Sequence, residues 1–145
     1  MSDGRLAAEV RTVVIDRARG ICEYCGSQAR FATQSFSIEH IVPRSKGGTS
    51  TPENLALACQ GCNNHKYNKI SGRDPATGEI IRLFHPRHQS WDEHFVWNED
   101  YSLIIGITAW GRTTVETLQL NRSALVGLRR VLFAMGEHPP TSIDG

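Results

Sequence analysis

GICEYCGSQARFATQSFSIEHIVPRSKGGTSTPENLALACQGCNNHKYNKISG, residues 20–72, is the stretch that decides the fold. Its frame is a doubled C-x2-C motif, Cys22/Cys25 and Cys59/Cys62, with 33 residues between the pairs. Two residues between cysteines let both sulfurs turn toward one ion, and two such knuckles complete a closed tetrahedral site for structural Zn²⁺. The alternatives are reduced core cysteines or two disulfides. The start of the chain, MSDGRLAAEV, has no apolar signal core, which points to a cytoplasmic, reducing setting and so to zinc. A four-sulfur site has no open coordination position, so this ion is expected to staple the fold and not to catalyse. The long gap between the pairs leaves room for an insertion with another task.

Working outward, Leu6, Val10, Val14 and Ala18 recur at helical spacing, with Ser2 or Asp3 available as a cap and Gly20 as a stop. Between the knuckles, Phe36 to Val42 partly alternates and suits a strand that Pro43 ends. Arg44 to Asn54 reads as a polar loop. Leu55 and Leu57 alternate in a return strand, and the residues after Cys62 form a short helix closed by Gly72. Beyond residue 72, Ile80–Phe84 and residues 103–107 are strand-like. Thr113 with Glu116 fits a capping box. Asn121 or Ser123 starts a last helix whose Leu125, Leu128, Leu132 and Met135 share a face, expected to pack on the first helix. His85, His88 and His94 lie near Trp91 and Trp97, a set read as an aromatic patch packing the tail onto the core.

The chain has 145 residues, 39% hydrophobic and 21% charged, ordinary values for a folded protein. No apolar run reaches the length of a membrane-spanning helix, so no membrane partner is expected. The net charge of +1 is unevenly divided. Residues 1–72 carry nine Lys/Arg against six Asp/Glu, and residues 73–145 seven Arg against nine acids. Four zinc-bound thiolates and their metal would bring the total to −1. A basic nucleic-acid coat is therefore excluded, and any such contact must come from a local patch.

Inside the zinc frame lie Ile38-Glu39-His40-Ile41-Val42-Pro43-Arg44-Ser45-Lys46-Gly47-Gly48, then Glu53-Asn54-Leu55, then Asn63 and Lys66 around the second knuckle. This constellation resembles the HNH endonuclease family, whose hairpin and helix grip a metal in the ββα-metal fold. The resemblance is dense over residues 20–72. It is looser in DPATGEIIRLFHPRHQSWDEHF, which looks like the tail of some small bacterial members. It implies that His40 is the general base, that Glu39 and Asn63 hold a catalytic ion, and that Asn54 holds the loop orienting His40. It also implies DNA as substrate, cut to a 3′-hydroxyl and a 5′-phosphate. Glu39 stands where Asp is commoner and Asn63 where His is frequent; both keep a ligand-capable group.

The chemistry agrees with that reading. Phosphodiester hydrolysis needs an activated water and relief of charge on the leaving oxygen. A histidine can take the water's proton near neutral pH. Glu39 and Asn63 are hard oxygen donors, better suited to Mg²⁺ or Mn²⁺ than to zinc. Neighbours on a strand point to opposite faces, so Glu39 and His40 share a site only if a twist or bulge intervenes. Arg44, Lys46 and Lys66 flank the site and read as phosphate contacts. Taken singly, Asn54 is a turn residue, Asn63 a helix cap and Arg44 a solvated loop charge; the joint spacing favours a site.

The expected architecture is α+β: a ββα-metal core stapled by a four-cysteine zinc over residues 1–72, with an N-terminal helix. A C-terminal extension over 73–138 packs on it, and 139–145 form a disordered end. The competing functions are a non-catalytic zinc-ribbon module that binds nucleic acid, and a nuclease acting on RNA. A pure binder has no need of Glu39, His40 and Asn63 together. Phosphate contacts alone do not read the sugar.

Overall fold

Helix α1 (Ala8–Ala18) lays its apolar stripe on a β-hairpin, and the rest of the molecule is built around the other side of that hairpin. The structure, a computed structural model, describes residues 6–141, so a cap from Ser2 or Asp3 lies outside the described residues. Val14 and Ala18 are buried against Leu55 and Leu57, with Leu6, Val10, Phe36 and Ile38 packed around them. The helix ends where Arg19 and Gly20 both turn into the left-handed region (φ 55° and 70°).

Strands β1 (Ser37–His40) and β2 (Leu55–Ala58) pair antiparallel, with Glu39 opposite Ala56 and His40 opposite Leu55. The loop between them carries two short 3-10 turns, Arg44–Lys46 and Pro52–Asn54. Helix α2 (Gln60–Lys66) follows β2 directly, so hairpin and helix form a ββα unit. Cys59 is its N-cap, and it stops at Tyr67, whose φ is 51°. Gly72 is not the stop: it lies in β3 (Ser71–Arg73), paired with β4 (Ile80–Arg82). Strands β5 (Phe95–Trp97) and β6 (Ile104–Gly106) make a third hairpin, followed by α3 (Ala109–Leu118) and α4 (Ser123–Ala134). Four helices and three two-stranded antiparallel sheets among the described residues give an α+β fold. No helix among them is long and apolar enough to cross a membrane.

One hydrophobic cluster joins the two parts of the chain. It runs from Cys22, Tyr24 and Cys25 through Ala56 and Ala58 to Phe84, Trp91, Phe95, Ile104 and Leu125. Glu23 stitches the first knuckle to β2, its backbone pairing with Leu57 and its carboxylate accepting from Leu57 N–H at 2.9 Å and from Arg87. The Trp91 indole donates to Tyr24 O at 2.9 Å, and its ring stacks on Phe95. Asp74, fully buried, is held by Arg112 at 2.8 Å, which with local N–H donation keeps its carboxyl down at about 2.

Three local expectations are corrected. Thr113 is buried inside α3, and Thr108 caps that helix by accepting from Gly111 N–H at 3.1 Å. The T-x-x-E pattern at 113–116 thus falls one turn too late. Helix α4 does not set its face on α1: Leu125 belongs to the cluster around the first knuckle, while Val14 and Ala18 belong to the one on β2. Met135 is 63% exposed, because the helix ends at Ala134 and the chain turns away.

Candidate active site and zinc centre

Each knuckle presents its sulfurs because the backbone curls around them. In the first, Gly26 N–H bonds Cys22 O at 3.0 Å, with Gly26 at φ 78°. In the second, Cys59 caps α2 and Cys62 sits in its first turn. All four cysteines are reduced and buried, and their sulfurs lie within 4.8 Å of one another. Sulfurs about 2.3 Å from a tetrahedral zinc stand about 3.8 Å apart, and Cys25 Sγ lies 3.6 Å from Cys59 Sγ. The cluster therefore fits a structural zinc.

Sequence reasoning missed the residue that covers this cluster. Arg122 donates to Cys59 Sγ at 3.3 Å and to Cys62 Sγ at 3.7 Å, and is braced by Leu118 O and Gln119 O. Gly61 makes room for it: a Cβ there would lie 2.3 Å from the guanidinium. Four thiolates on one divalent ion leave a net charge of −2, and a cation donating to two of them offsets part of it. Removing such a supporting partner typically costs roughly 10- to 100-fold in metal affinity. Arg122→Ala is accordingly expected to release zinc faster to a chromogenic chelator while the zinc-loaded protein keeps its circular dichroism. Release at the wild-type rate would contradict the role.

On the other side of the hairpin, Ile38, Glu39, His40, Pro43, Arg44, Asn63 and Tyr67 border a cleft of about 280 Å³. Glu39 and His40 both reach it, although they are neighbours at the end of β1. Glu39 is buried, accepting from the Tyr24 hydroxyl on Oε1 and from Lys66 Nζ on Oε2 at 3.1 Å. Burial, reinforced by the Glu39 charge, raises the Tyr24 phenol well above its ordinary value, so it stays a donor. His40 is half-buried, with Nε2 2.8 Å from Ser50 Oγ. Burial first, then the Arg44 charge, holds its imidazole below the ordinary histidine value. The ring is therefore neutral at physiological pH, the form that accepts a proton.

Asn54 is buried and clamps both ends of the loop. Its Oδ1 accepts from Val42 N–H at 2.9 Å, and its Nδ2 donates to Val42 O at 2.9 Å and Thr49 O at 2.8 Å. Gly48 lets the loop close this tightly, since a Cβ there would lie 1.7 Å from Val42 O. Asn63, in the first turn of α2, borders the cleft and makes no side-chain hydrogen bond among the described residues. Arg44 is exposed at the cleft, and Lys46 is exposed but donates to Asn68 O at 2.7 Å.

Lys66 is not a surface phosphate contact. It is 2% exposed, and its ammonium is shared among Glu39, Ile41 O at 2.8 Å and His40 O at 3.3 Å. A buried ammonium is tolerable only with such partners. Lys66 instead ties α2 to the end of β1 and, with Tyr24, fixes the Glu39 carboxylate. No local pattern announces this, because the partners of Lys66 lie 25 to 27 residues away in sequence.

The residues fit a second, hard cation as well. A carboxylate has about four lone-pair positions, two of which Tyr24 and Lys66 occupy, and the Asn63 amide is uncommitted. Water and phosphate oxygens would complete such a shell.

Residues 22–69 match the HNH endonuclease family model. The chain is also 31% identical over 69 residues to the type IV methyl-directed restriction enzyme EcoKMcrA of Escherichia coli (strain K12). That match covers 45% of this chain and 25% of the relative, so the chain spans about a quarter of the length of the curated relative it matches.

Proposed function

We propose, taking residues 22–69 as an HNH endonuclease domain, that the chain is a metal-dependent endonuclease hydrolysing DNA phosphodiester bonds with His40 as general base. The observation that carries this is the cleft itself. A neutral histidine, a carboxylate and an uncommitted amide border one space beside an exposed arginine. A pure zinc-ribbon binder has no use for that combination. DNA is favoured over RNA because the similar protein is by name a restriction enzyme.

In this reading Glu39 and Asn63 would hold Mg²⁺ or Mn²⁺, which when bound would relieve negative charge in phosphodiester hydrolysis. Arg44 attracts and orients the scissile phosphate. His40 takes the proton from the attacking water at a ring nitrogen, oriented through Ser50 and the loop that Asn54 closes. Water adds to phosphorus and the P–O3′ bond breaks, which leaves a 3′-hydroxyl on one fragment and a 5′-phosphate on the other. Nicks made in plasmid DNA are therefore expected to be sealed by DNA ligase without prior treatment. Unsealable ends, or faster cutting of RNA of the same sequence, would contradict the proposal.

A further inference from the structure

Tyr67 is an aromatic residue at the cleft rim that is 75% exposed. Its backbone adopts φ 51°, ψ −114°, outside the regions open to residues with a Cβ. An aromatic residue held there is strained, and such strain persists where the surroundings impose it. Here they do. Lys66 is locked inside by three acceptors, and Tyr67 N–H is bonded to Asn63 O at 2.9 Å. Three quarters of the residue's surface is left in solvent. Among the described residues its hydroxyl makes no hydrogen bond and its ring packs on no other ring. Glycine would relieve the strain, so fold stability does not explain a tyrosine at this position.

The ring borders the same space as Ile38, His40, Arg44 and Asn63. A phosphate drawn to Arg44 and His40 brings the adjoining nucleoside to that rim, and a flat aromatic face there matches the flat face of a base. Resting on the nuclease reading above, we infer that Tyr67 stacks on the nucleobase flanking the scissile phosphate. The site thus takes a strand whose base at that step is unpaired or opened from its neighbour. Stacking of this kind tolerates any base, because every base has a π face.

The test uses the whole 145-residue chain, zinc-loaded, in a His40→Ala background, which binds without cutting. Fluorescence anisotropy compares an oligothymidine strand with an abasic deoxyribose-phosphate strand of the same length. The tyrosine-containing protein is expected to prefer the base-bearing strand by about 5- to 150-fold, the usual range for one stacked base. Adding Tyr67→Ala should abolish the preference, and Tyr67→Phe should keep it. Tyr67→Gly should abolish it while raising the Tm, a pairing that a purely structural tyrosine would not give. A preference that survives Tyr67→Ala, or its absence in the parent, overturns the stacking contact alone. A folded parent that binds neither strand overturns the nucleic-acid reading as well.

Discussion

Cys22→Ser and Cys59→Ser are each expected to give protein that neither retains zinc nor shows native circular dichroism. The reason is one of magnitude. A structural four-cysteine zinc supplies on the order of 10 kcal/mol of folding free energy in small modules. A whole domain is typically stable by only about 5–15 kcal/mol. Here the sulfurs join two knuckles 33 residues apart, and the cluster that links both parts of the chain is packed directly around them. Losing one thiolate therefore removes both the cross-link and the organising centre of the core. Serine keeps the volume but not the soft ligand. Elemental analysis with circular dichroism decides the matter, and a folded, zinc-free Cys22→Ser protein would contradict it.

Among the cleft residues, the largest effect is expected at His40. His40→Ala should lower the cutting rate by roughly 10²–10⁴-fold, the usual contribution of a positioned general base. Its zinc content and DNA affinity should stay near wild type, since the ring is half-buried and its side-chain hydrogen bond is to the Ser50 hydroxyl. Added divalent metal should not restore the rate, because an ion does not replace the missing proton acceptor. Asn63→Ala should behave differently, recovering some activity at high Mg²⁺ or Mn²⁺, since a cation ligand has been weakened. Glu39 needs a gentler substitution. Glu39→Ala would strand the buried Lys66 ammonium, and breaking one half of a buried pair costs about 3–5 kcal/mol. Glu39→Gln keeps an acceptor for Tyr24 and is the variant to titrate with metal. If metal rescues His40→Ala and fails to rescue Asn63→Ala, the roles are assigned the wrong way round.

The zinc knuckles, the stripe on α1 and the hairpin between the knuckles were legible because each is a short-range pattern. Sulfur spacing, a helical repeat and strand alternation need no knowledge of the rest of the chain. Lys66 was misread for the opposite reason. Lysines are almost never fully buried without a partner, and its partners, the Glu39 carboxylate and the carbonyls of His40 and Ile41, come close only after the hairpin and α2 have packed. Tyr24 was hidden inside a motif already explained by its cysteines. Arg122 meets the sulfurs from 60 residues beyond Cys62. The helix stop at Tyr67 carries no sequence signal at all, since glycine at 72 is the better stop by composition and tyrosine rarely takes a positive φ. Local chemistry was thus readable from the motif, whereas the residues that brace it were not.

The most direct measurement is the nicking rate of supercoiled plasmid by zinc-loaded wild type and His40→Ala protein, each followed from metal-free buffer through rising Mg²⁺ or Mn²⁺. Wild type is expected to nick only when divalent metal is added, and His40→Ala almost not at all at any concentration despite intact DNA binding. Equal rates for the two proteins, or no nicking by folded wild type at any metal concentration, would contradict it.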